Sequence, residues 1–228
     1  VVSACAISMN LVIDPYQQKA ESDTAQWARL KPALRARSRL FKSSLAARHH
    51  DAVILGTSRA EVGISPESVQ WGSGDVANLA SSNQPYRESL ELLDIYTRHG
   101  AATVVIGMDF FAANSLTRYP ADYTEYSYKP RSSIATAASL STVLDSIDTL
   151  VSQDEQEALA GGWIMRRNGQ RIVGEDYVTG RGGHRTLAIA SEKSYFMSFY
   201  PPPAAFALQE TKGGRNEFNC FVDILKRA

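Results

Sequence analysis

The chain has 228 residues, with 24 Lys or Arg against 24 Asp or Glu, so its formal net charge at pH 7 is zero. A neutral chain has no overall field that draws it toward a polyanion, and composition therefore gives nucleic-acid binding no support. Cys5 and Cys220 lie at opposite ends, so we expect no cysteine metal site, and no metal or other cofactor. The length fits one globular domain with room for an insert.

The chain begins with an uncharged segment, because the first charged residue is Asp14. Spanning a bilayer takes about 20 apolar residues, so this segment is either the trailing part of an N-terminal anchor or signal sequence, or an apolar first element of the fold. We expect an anchor remnant over residues 1–14. That expectation predicts membrane attachment and a location in the cell envelope, on the periplasmic or extracytoplasmic face of the inner membrane.

Residues 15–50 are predicted to form a helical lead-in. Its second half, residues 29–48, contains seven Lys or Arg and no acidic residue. Apolar residues such as Leu34 and Phe41 recur there at helical spacing, and Pro32 interrupts the pattern. We expect the basic side chains to form a solvated face; contact with anionic lipid or polysaccharide is the alternative.

Three short apolar runs follow, at residues 51–56, 76–80 and 102–109. Runs of this kind, bounded by glycine or polar residues, predict strands that are buried on both faces. Between the second and third runs, a helical pattern opens at Pro85 and ends at Gly100. Strands that alternate with helices predict an α/β fold, in which helices cover both faces of a parallel sheet in three layers.

Residues 113–183 interrupt this alternation and predict an insertion within an α/β domain that spans residues 51–228. A helical pattern covers residues 140–151, and the Asn168-Gly169 dipeptide predicts a β-hairpin with a type I′ turn. The insertion opens with four tyrosines that we expect to pack against their own domain, with sugar stacking as the alternative: Tyr119, Tyr123, Tyr126 and Tyr128.

Ser58 stands just past the first predicted strand. In open α/β sheets this edge binds ligands, and a serine on a tight turn can present its hydroxyl there while backbone N–H groups face an oxyanion. The alternative is that Ser58 only caps the next helix. A single preceding strand, and Ala60 in place of glycine, disfavour an α/β-hydrolase elbow. A phosphate site is disfavoured because no Gly-rich fingerprint or Lys follows.

Three short blocks within residues 51–112 resemble the SGNH (GDSL-like) hydrolase superfamily: Gly56-Thr57-Ser58-Arg59 with Gly63, then Asn78-Leu79-Ala80, then Gly107-Met108-Asp109-Phe110-Phe111. More narrowly, they look like the membrane-anchored divergent branch related to alginate and exopolysaccharide O-acetylation proteins. The resemblance implies a serine esterase or O-acyltransferase that acts on acylated cell-envelope polysaccharide or a small ester. It also implies partners in polysaccharide biosynthesis.

The resemblance makes Ser58 the nucleophile on a turn shaped by Gly56. The family's second-block glycine, an oxyanion donor through its backbone, falls near Asn83. Its third-block asparagine matches Asp109, whose negative charge would repel an oxyanion. We expect Arg59 to pair with Asp109 and to supply positive charge at the strand edge; the alternative is that the two never meet.

The family's general base is a histidine near the C-terminus, preceded by an acidic partner. Here the last histidine is His184, which has no acid at that offset, while His49 and His50 precede the first strand and His99 ends a helix. A serine hydrolase without its base loses roughly a million-fold in turnover. We expect the Asp-His segment to lie beyond Ala228, because the helical pattern ends abruptly there. The alternative is an inactive relative that binds or helps assemble polysaccharide.

Overall fold

The computed structural model describes residues 3–18, 29–72, 74–99, 103–109, 112, 120, 122–123, 133–183, 185–186, 189–190 and 217–227. The helices of these parts are α1 (Ala4–Ile13), α2 (Leu34–Ala46), α3 (Ser58–Gly63), α4 (Tyr86–Tyr96), α5 (Ser133–Ala137), α6 (Leu140–Val151), α7 (Glu155–Ala160), α8 (Glu175–Thr179) and α9 (Glu217–Arg227). The strands are β1 (Ala52–Leu55), β2 (Val76–Asn78), β3 (Thr103–Ile106), β4 (Trp163–Met165) and β5 (Arg171–Val173).

The three predicted strands form one parallel sheet in the order β2-β1-β3. All four side chains of β1 are buried, as its uninterrupted apolar run predicts. The register places Ala52 opposite Val76 on one side and Thr103 on the other. The predicted mixed α/β architecture with a parallel sheet is therefore confirmed. Because β1 is the central strand, the chain leaves it between the carboxyl ends of β2 and β3.

Helices pack on both faces of this sheet. Val53 and Leu55 join the larger core cluster, which includes side chains from α2, α4 and α9. Ile54 points to the other face, where it packs with Ala60 of α3. This split follows from the two-residue period of a strand, and it produces the three predicted layers.

The helix predicted from the pattern after Pro85 is confirmed as α4. Its four apolar positions Tyr86, Leu90, Leu93 and Tyr96 are all buried. The Tyr86 ring packs against Phe221 of α9, with ring centroids 5.0 Å apart. The C-terminal helical pattern is thus also formed, and α9 lies against α4.

The solvated basic face expected for residues 29–48 is wrong at Arg39 and Lys42, whose side chains are 4% and 0% exposed. Arg39 bonds Glu88 at 2.9 Å and Asp122 at 2.8 Å. The charges are buried because acidic side chains from other elements meet them inside the fold, which offsets the cost of desolvation.

The first helix, α1, packs against α5 and α6. Asn10 of α1 is buried and donates a hydrogen bond to the carbonyl oxygen of Ala137 at 2.7 Å. The uncharged N-terminal segment thus forms a packed element of the fold over the part that the structure describes. None of the helices in that part combines the length and hydropathy needed to cross a bilayer.

The predicted helix over 140–151 is confirmed as α6, but it is packed through its polar side. Thr142, Ser146 and Thr149 are buried, and Tyr16 donates a hydrogen bond to Asp145. Among the predicted tyrosines, Tyr123 is buried and donates to Glu91 at 3.1 Å, while Tyr119, Tyr126 and Tyr128 lie outside the described residues. The apolar side of α6 is exposed, at Leu140, Leu144, Ile147, Leu150 and Val151.

The predicted hairpin is present as the antiparallel pair β4–β5, but the predicted type I′ turn is wrong. That turn needs positive φ at both central residues, whereas only Gly169 has one, at +84°. Gly169 N–H bonds the carbonyl of Arg166, and Arg166 N–H bonds that of Gln170. This pattern is a three-residue loop that closes with glycine in the left-handed region. The Asn168 carbonyl then accepts the N–H of Asn78 on edge strand β2 at 2.6 Å.

Replacing Gly169 with alanine should strongly destabilise the protein. A Cβ there would overlap the carbonyl oxygen of Asn78, and the residue has a positive φ that L side chains rarely adopt. We expect Gly169→Ala to lower the free energy of unfolding by at least about 2 kcal/mol in a urea titration. The control is Gly63→Ala, where a Cβ meets nothing within 4 Å. Equal effects of the two substitutions would contradict the docked hairpin.

Candidate functional site

Ser58 is the first residue of α3, three residues past the end of β1. Its neighbour Thr57 caps the helix, because the Thr57 hydroxyl oxygen accepts the N–H of Arg59 at 3.5 Å. The alternative that Ser58 serves only as the helix cap is therefore wrong. The Ser58 side chain is half-buried, and its hydroxyl makes no hydrogen bond to any described residue.

Two glycines bring the helix close to the strand ends. Gly56 has a φ of +142°, and a Cβ there would lie 2.9 Å from the Gly107 carbonyl oxygen and 3.0 Å from the Cβ of Ala60. A Cβ on Gly107 would lie 2.9 Å from that same Ala60 carbon. Larger residues would push α3 away from the sheet, so the glycines of the first and third blocks set the position of Ser58.

The Asp109 carboxylate ties the end of β3 to the Ser58 turn. One of its oxygens accepts the Thr57 hydroxyl, and the other lies 2.7 Å from Nη1 of Arg59. The predicted pairing of Arg59 with Asp109 is therefore confirmed. Because both oxygens of this buried carboxylate are bound, and its charge is balanced by Arg59, Asp109 acts as an anchor for the turn.

The phenol of Tyr86 fixes the backbone of Asp109 by donating a hydrogen bond to its carbonyl oxygen at 3.1 Å. Burial, first, and the charge of nearby Asp109 raise the pKa of Tyr86. A raised pKa keeps the phenol protonated and thus able to donate at neutral pH. The third-block residue is therefore fixed through both its side chain and its backbone.

The loop after β2 completes the carboxyl edge of the sheet. Gly56 N–H donates to Oε1 of Gln84 at 2.9 Å, and the Gly56 carbonyl accepts the N–H of Ser81 at 3.0 Å. Gln84 N–H closes a turn onto the carbonyl of Ser81 at 3.1 Å, with Asn83 at φ +54°. A positive φ at the third residue of a turn is typical of type II, which favours glycine or asparagine there. Asn83 thus occupies a position of the turn at which asparagine is one of the favoured residues.

A buried ionic cluster, formed by Lys42, Glu61 and Arg171, holds α3 from the opposite side. Glu61 is 2% exposed and lies one turn beyond Ser58; its oxygens face Lys42 Nζ at 2.9 Å and Arg171 Nη2 at 3.2 Å. Burial lowers the pKa of Lys42, and the charge of Glu61 opposes that shift. Sequence analysis missed this cluster. The available signal was the spacing of Lys42, three residues before buried Leu45 on the same helix.

Asn78 secures the C-terminal end of α3. Its Nδ2 donates to the carbonyls of Ala60 and Ile64, each at 3.0 Å, and its Oδ1 accepts the N–H of Ala80 at 3.1 Å. The Ala60 carbonyl also accepts the N–H of Ile64 at 3.2 Å, so Asn78 gives it a second donor and supplies the donor for the Ile64 carbonyl at the helix end. Asn78 therefore has a structural role, because its side chain links the end of α3 to the loop after β2.

No described histidine side chain lies beside Ser58. His50 is at the amino end of β1, where Nδ1 lies 2.9 Å from Asp75 and Nε2 lies 2.9 Å from the Leu45 carbonyl oxygen. His49 directly precedes His50 in the chain. Both histidines therefore lie before β1, at the end of the sheet opposite Ser58, as predicted. His184 lies outside the described residues, and so does the side chain of His99. Within the described ranges no group of three metal-ligating side chains is found either.

A cavity of about 510 Å³ lies away from Ser58, which is not among its lining residues. It lies between the start of α2, the end of α6, α7 and β4.

Comparison of the chain with protein-family models, curated proteins and solved structures found no match.

Removing the buried carboxylate of Glu61 should destabilise the protein far more than removing a surface charge. Glu61→Gln leaves Lys42 and Arg171 without a counter-charge in the interior, and we expect a loss of about 3 kcal/mol in the free energy of unfolding. The control is Arg29→Gln, which breaks the ion pair with Glu155 at 2.5 Å on a side chain that is 60% exposed. That loss should stay below about 1 kcal/mol. Similar losses in a urea titration would argue against the buried cluster.

Proposed function

We propose that the protein is a serine esterase or O-acyltransferase of the SGNH type, acting on acylated cell-envelope polysaccharide, with Ser58 as the nucleophile. The observation that supports this most strongly is the position of Ser58. It follows the central strand at the carboxyl edge of a parallel sheet, and its hydroxyl is unbound among the described residues. Ligands bind at this edge in open α/β sheets.

In the proposed reaction the Ser58 oxygen attacks the ester carbonyl and a general base takes the hydroxyl proton. Backbone N–H groups at Ser58 and Asn83 stabilise the negative charge that develops on the carbonyl oxygen. The alcohol leaves with a proton, and the acyl group remains on Ser58. Water then releases it in an esterase, whereas a sugar hydroxyl takes it in a transferase.

Arg59 contributes positive charge beside this centre. Its guanidinium is half exposed, at 50%, and is held by Asp109 at 2.7 Å. The pair keeps Asp109 from presenting an unbalanced negative charge to the oxyanion, which removes the main electrostatic objection to aspartate at this position. The departures from the family motif at residues 83 and 109 are therefore compatible with the proposed chemistry.

The rival proposal is a catalytically inactive envelope protein that binds or helps assemble polysaccharide. It is favoured by one observation, the lack of a described histidine side chain near Ser58. The two proposals differ in whether another part of the protein supplies a general base to Ser58. The difference is measurable, because a serine without a base reacts roughly a million-fold more slowly.

Reaction with a fluorophosphonate probe distinguishes them. In the intact protein the probe should label Ser58, Ser58→Ala should remove the label, and Ser65→Ala, two residues beyond the end of α3, should retain it. Labelling is read by intact-mass and peptide mass spectrometry. A wild-type protein that stays unlabelled, or a Ser58→Ala variant labelled as strongly as wild type, would overturn the esterase proposal in favour of the binding protein.

A further inference from the structure

The cavity of about 510 Å³ has the size of a small-molecule site. It is continued by a second cavity of about 260 Å³, with which it shares the lining residues Leu30, Ile164 and Met165. Together they form a groove along the start of α2 and strand β4. Two adjoining cavities have room for a ligand with several linked units.

Arg35 supplies a fixed hydrogen-bond donor in the wall of this groove. Its Nε donates to the Trp163 carbonyl at 3.0 Å, and its Nη2 donates to the Ala158 carbonyl at 2.6 Å. These two bonds immobilise the guanidinium plane, and its Nη1 has no hydrogen-bond partner among the described residues. A ligand oxygen that binds there meets a donor whose side-chain entropy is already lost.

Three exposed carboxylates supply acceptors on the same wall. Asp148 uses one oxygen for Ser152 at 3.1 Å, and Asp154 uses one oxygen for the N–H of Gln156 at 2.8 Å. Their second oxygens, and both oxygens of Glu157, have no partner within the described ranges, and none of the three is in an ion pair there. The groove therefore offers free acceptors beside a fixed donor.

The remaining wall includes Trp163, whose ring has the Arg171 guanidinium over one face, 5.1 Å from the ring centroid. An aromatic surface with both donors and acceptors around it suits a sugar ring, whose C–H face packs on the indole and whose hydroxyls both donate and accept. The lining of the whole groove is balanced, with five carboxylates and five cations, and the excess of carboxylates is confined to the larger cavity, where three of them outnumber Lys31 and Arg35. A polyanionic chain would meet like charge there, whereas an uncharged one would not.

We propose that this groove binds an uncharged oligosaccharide segment of the glycan substrate. Helix α2 connects the groove with the Ser58 edge, because Arg39, four residues beyond Arg35, donates to the Ser82 carbonyl at 2.7 Å. The inference deepens the proposed function and rests on it for the role of the glycan as substrate. Binding itself needs no reaction at Ser58.

The test is isothermal titration of the Ser58→Ala protein, in which turnover is excluded. The probes are cellotetraose, laminaritetraose and mannotetraose, with tetragalacturonate as the anionic counterpart of the same length. At least one neutral tetramer should bind, and tetragalacturonate should bind at least tenfold more weakly. Adding Asp148→Ala and Glu157→Ala should weaken neutral binding at least tenfold, since both carboxylates are exposed and their loss leaves the core intact.

The matched control is Asp176→Ala, which removes an exposed carboxylate from α8, outside the groove. It should leave binding unchanged. The inference is overturned if no neutral tetramer binds, if tetragalacturonate binds as well as the neutral sugars, or if the protein with Asp148→Ala and Glu157→Ala added binds like its Ser58→Ala parent. Failure of the esterase proposal has a separate signature, because it appears in the labelling of Ser58 and not in these titrations.

Discussion

The geometry of the Ser58 edge depends on the two hydrogen bonds that the Asp109 carboxylate accepts. It comes from the loop after β3 and reaches across to Thr57 and Arg59, on either side of the serine. A turn that leaves a strand for a short helix has many conformations open to it, and a buried carboxylate with two fixed partners selects one of them. The charge can be buried because Arg59 balances it at 2.7 Å.

The need for such ties follows from the length of α3. An isolated helix of six residues does not form in water, because nucleation costs more than so few hydrogen bonds return. The helix is therefore held from outside at three points: Asp109 at its start, the cluster of Lys42 and Arg171 around Glu61, and Asn78 at its end. Removing any one of them loosens the position of Ser58 relative to the sheet.

Local pattern predicted the elements that surround this site. The apolar runs predicted the three strands, and the helical spacing after Pro85 predicted α4. Both predictions are possible because the periodic order of apolar residues along the chain indicates which side chains are buried. The pairing of Arg59 with Asp109 was also predicted, since both residues lie at carboxyl ends of strands that meet at one edge.

What local pattern missed depends on partners far away in the chain. The basic stretch predicted a solvated face, yet Lys42 is buried because Glu61 lies opposite it. The Asn168-Gly169 dipeptide predicted a type I′ turn, yet the carbonyl of Asn168 bonds edge strand β2 and only Gly169 takes a positive φ. In each case a tertiary contact outweighed the local preference. Asn83 takes a positive φ of +54°, a conformation that asparagine tolerates.

The central claim, that Asp109 fixes the Ser58 turn, is tested most directly by a double-mutant cycle. The free energies of unfolding of wild type, Thr57→Val, Asp109→Asn and the double variant are measured in urea under identical conditions. Residues that share a buried hydrogen bond should show a coupling energy of at least about 1 kcal/mol. Effects of the two substitutions that add, within about 0.3 kcal/mol, would contradict the claim.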